Sequence, residues 1–402
     1  MSAVGMALVE RRAGSGSTGN SPSVAREDAV IDHNFSGTPF TVGVEEELMI
    51  VDPESMDLVS EIEALLDAIP PGRPGMVKPE LMESVLEIAT DPCADIGEVD
   101  TQLRGLRRDV TAAAGERGMA IGSSGTHPFA RWEDQRIVAR PRYRDLVSAL
   151  RFVARQELIF GVHVHVGIDD PDTAVSVCDG MREHLPMLLA LSANSPLWRG
   201  HATGMMSTRT PIFRQFPRVG IPRAFGDYAG FSALVEEMME ARMIPDYTYL
   251  WWDVRPHPQL GTVEVRILDA QTRVEHTVAL AAMVQALVHR LATEYRDGTA
   301  PQGQARELID ENKVLAAIHG TDAELLDPHT RERIRIKDRA RRLIDELADH
   351  AVELGSEREL QGITDLLDNG VGARRQLTVF EANQDMRELV RELVEVTGQV
   401  ER

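Results

Sequence analysis

The sequence predicts an α+β fold, and three observations carry that prediction. Between about residues 40 and 300, short strand-like runs alternate with long amphipathic segments. Four of the strand-like runs have one apolar and one polar face at a period of two. Beyond about residue 300 the pattern is wholly helical, as in "RERIRIKDRARRLIDELADHAVEL".

The helical pattern fits residues 55–69, 95–118, 142–157, 171–192, 230–243 and 275–295. The chain has 402 residues, 43% of them hydrophobic, enough for a substantial core. Residues 1–38 are rich in Gly and Ser and lack periodicity, so they predict a flexible leader before a single catalytic domain over 39–402.

Charge excludes some partners. The chain has 64 acidic against 43 basic side chains, a net charge of -21 that repels phosphate backbones and anionic lipid. Neither nucleic acid nor a membrane surface is expected to bind, and no apolar run is long enough to span a bilayer. Two cysteines, Cys93 and Cys178, and no secretory signal predict a cytoplasmic location. The sequence leaves a homo-oligomer open. Lys78, Lys313 and Lys337 are the only lysines, and none follows a glycine. There is thus no G-x-x-x-x-G-K-[ST] phosphate loop, and no G-x-G-x-x-G opens a helix.

The four strand candidates share an arrangement. In "TVGVEEELMI" Glu45 and Glu47 fall on one face, with Val44, Glu46 and Leu48 on the other. In "MESVLEIAT" Glu83 and Glu87 oppose Met82, Leu86 and Ile88. In "GVHVHVG" His163 and His165 oppose three valines, and in "GTVEVRIL" Thr262, Glu264 and Arg266 oppose Val263, Val265 and Ile267. If these strands share a sheet, helices cover one side and the other is a floor of carboxylates, imidazoles and an arginine. Glu80 does not fit a regular strand, though a bulge near Pro79 would bring it to the polar face.

Hard divalent cations such as magnesium take oxygen ligands, and this floor supplies more carboxylate than one ion needs. Two or more ions bridging phosphates would balance that charge. Each strand also has a plainer reading. A strand glutamate usually belongs to a solvated face, and an H-x-H pair is structural or holds zinc. Arg266 competes as an ion-pair partner for Glu264, "WWDVRPHP" reads as an edge strand, and Asn194 or Ser195 reads as a turn after a helix.

Eight ordered stretches ("GVEEELMIVDPES", "KPELMESVLEIAT", "GTHPFARWEDQR", "PRYRDL", "FGVHVHVGI", "LLALSANSPLWRG", "WWDVRPHPQLGTVEVRILDAQT" and "ENKVLAA") resemble the bacterial carboxylate-amine ligase family, glutamate-cysteine ligase type 2. The resemblance implies a glutamine synthetase-like fold, with a curved, mainly antiparallel sheet forming a funnel and helices outside it. It also implies ADP-forming ligation of a carboxylate, typically the γ-carboxylate of glutamate, to an amine such as cysteine, with ATP and two or more Mg2+ ions.

Carried onto this sequence, the family pattern makes Glu45, Glu47, Glu83, Glu87, His163 and Glu264 metal ligands. Arg266 and Arg209 become catalytic, and Arg266, Ser207 and Asn312 contact the nucleotide. Arg199, Arg255, Asn194, Trp251 and His165 become candidates for the small-molecule substrates. Met205, Val314 and Phe160 stand where the family pattern has other residues. Two rival readings are a zinc-dependent amide hydrolase built on the H-x-H strand and a non-catalytic nucleotide-binding relative.

Overall fold

The strand-like runs become strands of a single antiparallel sheet. The computed structural model describes residues 31–69, 75–300, 303–327 and 330–401. Along the chain come β1 (Val42–Val51), β2 (Met76–Pro79), β3 (Val85–Ala89), α1 (Ile96–Glu116), β4 (Ala120–Gly122), β5 (Gly161–Gly167), α2 (Pro171–Met181), α3 (Leu185–Ser192), β6 (Val254–His257), β7 (Thr262–Asp269), α4 (Val274–Arg296) and α5 (Arg306–His319). The sheet has seven strands in the order β6-β7-β5-β1-β3-β2, with β4 also paired to β1. Every pairing in it is antiparallel.

Alternation fixes the two faces. Val42, Val44, Leu48 and Ile50 of β1 join Leu86, Ile88, Val162, Val164, Val166, Val263 and Val265 in the main core, which α1, α2 and α4 cover. The opposite face has a smaller apolar cluster at one end, around Met49, Val51, Met82 and Phe160. Between that cluster and the far strands lie the polar side chains.

Local signals set the helix ends. Asp95 caps α1 by accepting from the Glu98 N–H at 2.9 Å, and Glu98 reaches back to the Ala94 N–H at 2.9 Å. The helix expected over 171–192 divides into α2 and α3, since Pro186 in the first turn of α3 cannot donate to a continuing helix. The one expected over 55–69 shrinks to Ile62–Leu66, because Asp52 draws the Glu54 and Ser55 N–H groups into a turn. The C-terminal part is not wholly helical, for a hairpin pairs Glu324–Leu326 with Arg333–Arg335.

The first thirty residues of the expected leader lie outside the described residues. Within residues 31–38, Phe35 is buried, the Tyr228 hydroxyl donates to Ile31 O at 3.0 Å, and the Asn34 N–H donates to Pro258 O at 2.8 Å. No helix among the described residues is long and apolar enough to cross a membrane.

Glu46 lies on the core face, wholly buried, and its partner comes from the covering helix α1. Arg107 Nε and Nη2 each donate to its carboxylate at 2.8 Å, and the Thr277 hydroxyl donates at 2.5 Å. The same guanidinium donates to Gln271 O at 2.7 Å and Thr272 O at 2.8 Å. One ion pair thus ties β1, α1 and the β7–α4 connection together. Removing one partner of a buried pair costs about 3–5 kcal/mol, whereas replacing both with apolar groups is far milder. Arg107→Met is therefore expected to lower stability by roughly that amount in urea unfolding, and the double variant Glu46→Leu/Arg107→Met to recover much of the loss. Equal losses in the single and double variants would disprove the pairing.

Candidate active site

Register decides which polar side chains meet. β1 pairs Glu45 with His163 of β5 and Glu47 with Glu87 of β3. β2 sets Lys78 against Glu87, β7 sets Glu264 against His165, and β6 sets Arg255 against Glu264. Cross-strand partners share a face, so three lateral rows form: Lys78, Glu87 and Glu47; Glu45 and His163; His165, Glu264 and Arg255. Two neighbouring residues of β7 depart from strict alternation. A bulge between Val265 and Leu268 lets Arg266 and Ile267 share the place opposite His163, and beyond it Asp269 pairs with Gly161 on the site face.

The centre of this face is a buried group of Glu45, His163 and Glu264, whose ligand atoms all lie within 4.8 Å of one another. His163 Nδ1 is 3.1 Å from Glu45 Oε2. His165 Nε2 stands 3.8 Å from Glu45 Oε2 and 3.8 Å from Glu264 Oε1 and has no hydrogen-bond partner, while its Nδ1 meets the Thr262 hydroxyl at 3.1 Å. Glu264 carries two guanidiniums: Arg255 Nε at 2.6 Å and Arg266 Nη1.

Burial and charge oppose each other at these groups. Burial raises the Glu264 carboxyl, but the Arg255 and Arg266 charges overcome it and hold the group well below the usual range. Burial likewise raises Glu45, and the His163 hydrogen bond together with the nearby His165 ring brings it well below its ordinary value. Glu87 goes the other way. Burial and the Glu45 charge push it well above, and Lys78 at 3.1 Å only partly offsets them. Burial and the nearby Arg266 lower His163 to about 4, so its imidazole is neutral and able to act as a ligand.

Beside this group opens a pocket lined by Glu47, Glu80, Glu157, His163, Arg209 and Arg266. Glu47 accepts the Gly161 N–H at 2.5 Å. Glu80 reaches the site face because β2 ends at Pro79, leaving Glu80 in the connection to β3. Arg209 donates to Ile267 O and Arg266 O, each at 3.2 Å, so the bulge carbonyls seat its guanidinium. It lies directly over Gly161, and a Cβ there would occupy the place of its Nη2.

Several other side chains expected at the site have hydrogen-bond or ion-pair partners within the fold. Glu83 is not on a strand, since β3 begins at Val85; it sits in the preceding turn and pairs with Arg136 at 2.6 Å. Arg199 occupies a hairpin turn with φ 51°, half-exposed, and pairs with Glu133 at 2.7 Å. Asn312 uses both ends of its amide on Leu326, with Nδ2 donating at 2.9 Å and Oδ1 accepting at 2.8 Å. Ser207 and Ser195 donate to Asp269 at 3.0 and 2.7 Å, and both are wholly buried.

Asn194 bonds Ala270 O at 2.7 Å and Gln376 Nε2 at 2.7 Å, and Trp251 packs in the main core under Arg218. Arg255 is committed to Glu264 and to Leu250 O at 2.7 Å. His165 Nε2 lies 3.8 Å from each of two members of the central group, Glu45 and Glu264. Most of these partners are remote in sequence, so alternation alone does not reveal them. Sequence reasoning missed Lys78, Glu157, Asp269 and the buried Lys313–Asp253 pair at 2.5 Å. For Asp269 the only signal was its place after E-x-R, and the bulge that turns it inward leaves no mark in the sequence.

The sequence profile of glutamate-cysteine ligase family 2 matches residues 41–396. The chain belongs to that family. Among its relatives are a protein of Rubrobacter xylanophilus provisionally named glutamate--cysteine ligase 2-1, 43% identical over 91% of this chain and 97% of its own length, and a provisionally named glutamate--cysteine ligase 2 of Sorangium cellulosum, 41% identical over 89% and 96%. The fold is shared with glutamate–cysteine ligase from Francisella tularensis in complex with AMP, at a TM-score of 0.68 and 15% identity over 92% of this chain and 90% of that one. It is also shared with a bifunctional glutathione synthetase from Pasteurella multocida, at a TM-score of 0.65 and 14% identity over 90% and 53%. Membership in family 2 makes the protein an enzyme of the carboxylate–amine ligase kind.

One residue of this family-2 pocket has a measurable signature. Burial pushes the Glu157 carboxyl up to about 8, far above the value of about 4.3 expected in an unfolded chain. The folded protein therefore holds this proton more tightly, and the group's contribution to stability is full in acid and lost as pH rises toward 8. In metal-free buffer, Glu157→Gln is expected to melt above the wild type at pH 8, with the two converging near about pH 4.5. Identical melting temperatures at pH 8 would contradict the assigned environment.

Proposed function

We propose that this protein is an ATP-dependent, ADP-forming ligase that activates the γ-carboxylate of glutamate as an acyl phosphate and joins it to an amine such as cysteine. The observation that carries the reading is the convergence of Glu45, His163 and Glu264 within 4.8 Å, with Arg266 and Arg209 bordering the adjoining pocket. The donor set suits a hard divalent cation. It combines buried carboxylates with one imidazole, and Glu47 and Glu87 lie in the next row for a second ion. The partnerless His165 Nε2 and Glu87 Oε2 are what a site built around a bound ion would leave when described without it.

Glu45, His163 and Glu264 would hold the first magnesium ion, and Glu47 and Glu87 the second. Bound magnesium neutralises phosphate charge and orients the transferring group. The protein's own part is positioning. Arg209 and Arg266 each keep a buried Nε without a partner, and these donors are set to receive the oxygens of the phosphoryl group as negative charge spreads over them. Arg255 keeps Glu264 ionised and oriented, and Asp269 holds Ser195 and Ser207 so that the loop carrying Arg209 stays against the bulge. Glu80 and Glu157 add further carboxylates to the wall of the same pocket.

A second reading, an amide hydrolase with zinc on His163 and His165, rests on the 3.8 Å approach of His165 Nε2 to both central carboxylates. Amide turnover without ATP and stoichiometric zinc after purification would decide for it.

The test is ADP release with magnesium, ATP and glutamate against a panel of amines. Turnover is expected with at least one amine and is expected to fall about 10²-fold or more in Glu45→Ala and Glu264→Ala. Gly161→Ala meets only the flexible end of Arg209, so it is expected to fold normally while displacing that guanidinium and lowering turnover about 10²-fold. No amine-dependent release, or full activity in the alanine variants, would end the ligase reading.

A further inference from the structure

The pocket beside the central group is chemically two-sided. On one wall Arg209 and Arg266 are 4% and 3% exposed, and each keeps a buried Nε with no hydrogen-bond partner. These are donors aimed at an anion. Glu157 lines the same pocket from the short link between the helix Phe152–Arg155 and β5. Its Oε2 is buried and likewise without a partner, an acceptor waiting for a donor. Glu47, Glu80 and His163 also line the pocket, and the apolar part of the lining comes from Leu81, Met82, Val85, Ile159 and Phe213. Orphan donors and an orphan carboxylate oxygen in one small cavity are what a reaction between a phosphorylated carboxylate and an ammonium requires.

We infer that Glu157 is the acceptor-amine residue: it receives the incoming ammonium by an ion pair and takes one of its protons. The inference rests on the ligase reading above. The deprotonated amine attacks the acyl carbon, the C–N bond forms, and the C–O bond to phosphate breaks with its electron pair leaving on phosphate. The second N–H proton of the adduct goes to the departing phosphate, and Glu157 returns its own to solvent. The apolar part of the lining, Leu81, Met82, Val85, Ile159 and Phe213, suits a primary amine with a short apolar or sulfur-bearing stem.

Hydroxylamine separates this role from a structural one, because it is an uncharged nucleophile at neutral pH and needs neither an ion pair nor a base. Wild type, Glu157→Gln and Glu157→Asp would be compared with ATP, magnesium and glutamate, using cysteine, methylamine and isobutylamine as amine probes and hydroxylamine as the trap. Amine-dependent ADP release is expected to fall about 10²-fold or more in Glu157→Gln and less in Glu157→Asp, while hydroxamate still forms in both. The inference is overturned if Glu157→Gln keeps its amine rate within about threefold, or if its hydroxamate and amine rates fall together while Glu157→Asp behaves the same way. It is also overturned if the wild type forms hydroxamate but turns over none of the three amines. A wild type that neither forms hydroxamate nor releases ADP instead rejects the ligase reading itself, an outcome distinct from the others.

Discussion

A carboxylate sunk in a sheet loses its hydration, at a cost of several kcal/mol per ion, so each one must be met by a cation or by hydrogen-bond donors. Glu264 shows the constraint at its strongest. It is wholly buried between Arg255 on the neighbouring strand and Arg266 two residues along its own. That double pairing keeps it ionised and fixes its place opposite His165. The rest of the site is arranged around the same requirement, with Lys78 against Glu87, the imidazoles against Glu45, and the Gly161 N–H against Glu47.

Compensation is deliberately incomplete on one side of the sheet. On the core face Glu46 is satisfied by Arg107 and Thr277, and it only holds elements together. On the site face Glu87 Oε2, His165 Nε2, Arg209 Nε and Arg266 Nε have no partners. Adjacent glutamates of one strand therefore have opposite roles, set by which way each side chain points. A fully paired face is structural, whereas a face left with buried donors and acceptors is poised to receive charged ligands.

The β7 bulge links fold to chemistry. It slips the register after Val265, so Arg266 stays on the site face while Asp269 turns inward to hold Ser195 and Ser207. It also frees the carbonyls of Arg266 and Ile267 for the guanidinium of Arg209. Two arginines from distant parts of the chain are thereby brought to one pocket. A regular strand would have satisfied those carbonyls with ladder bonds and left Arg209 unsupported.

The sequence by itself determined the four strands and their two faces, because side-chain alternation is a local property and Glu45, Glu47, Glu87, His163 and Glu264 all follow it. It also placed Glu46 on the apolar face, where a buried glutamate needs a partner. Tertiary structure decided everything that rests on contacts across many residues. It supplied Arg107 as the partner of Glu46, set Glu83 in a turn against Arg136, and gave Asn194, Ser207 and Asn312 hydrogen-bond partners on other parts of the chain. It brought in Glu157 and Asp269, neither of which has a motif of its own. Periodicity reports which way a side chain points, but only register and the bulge determine what it points at.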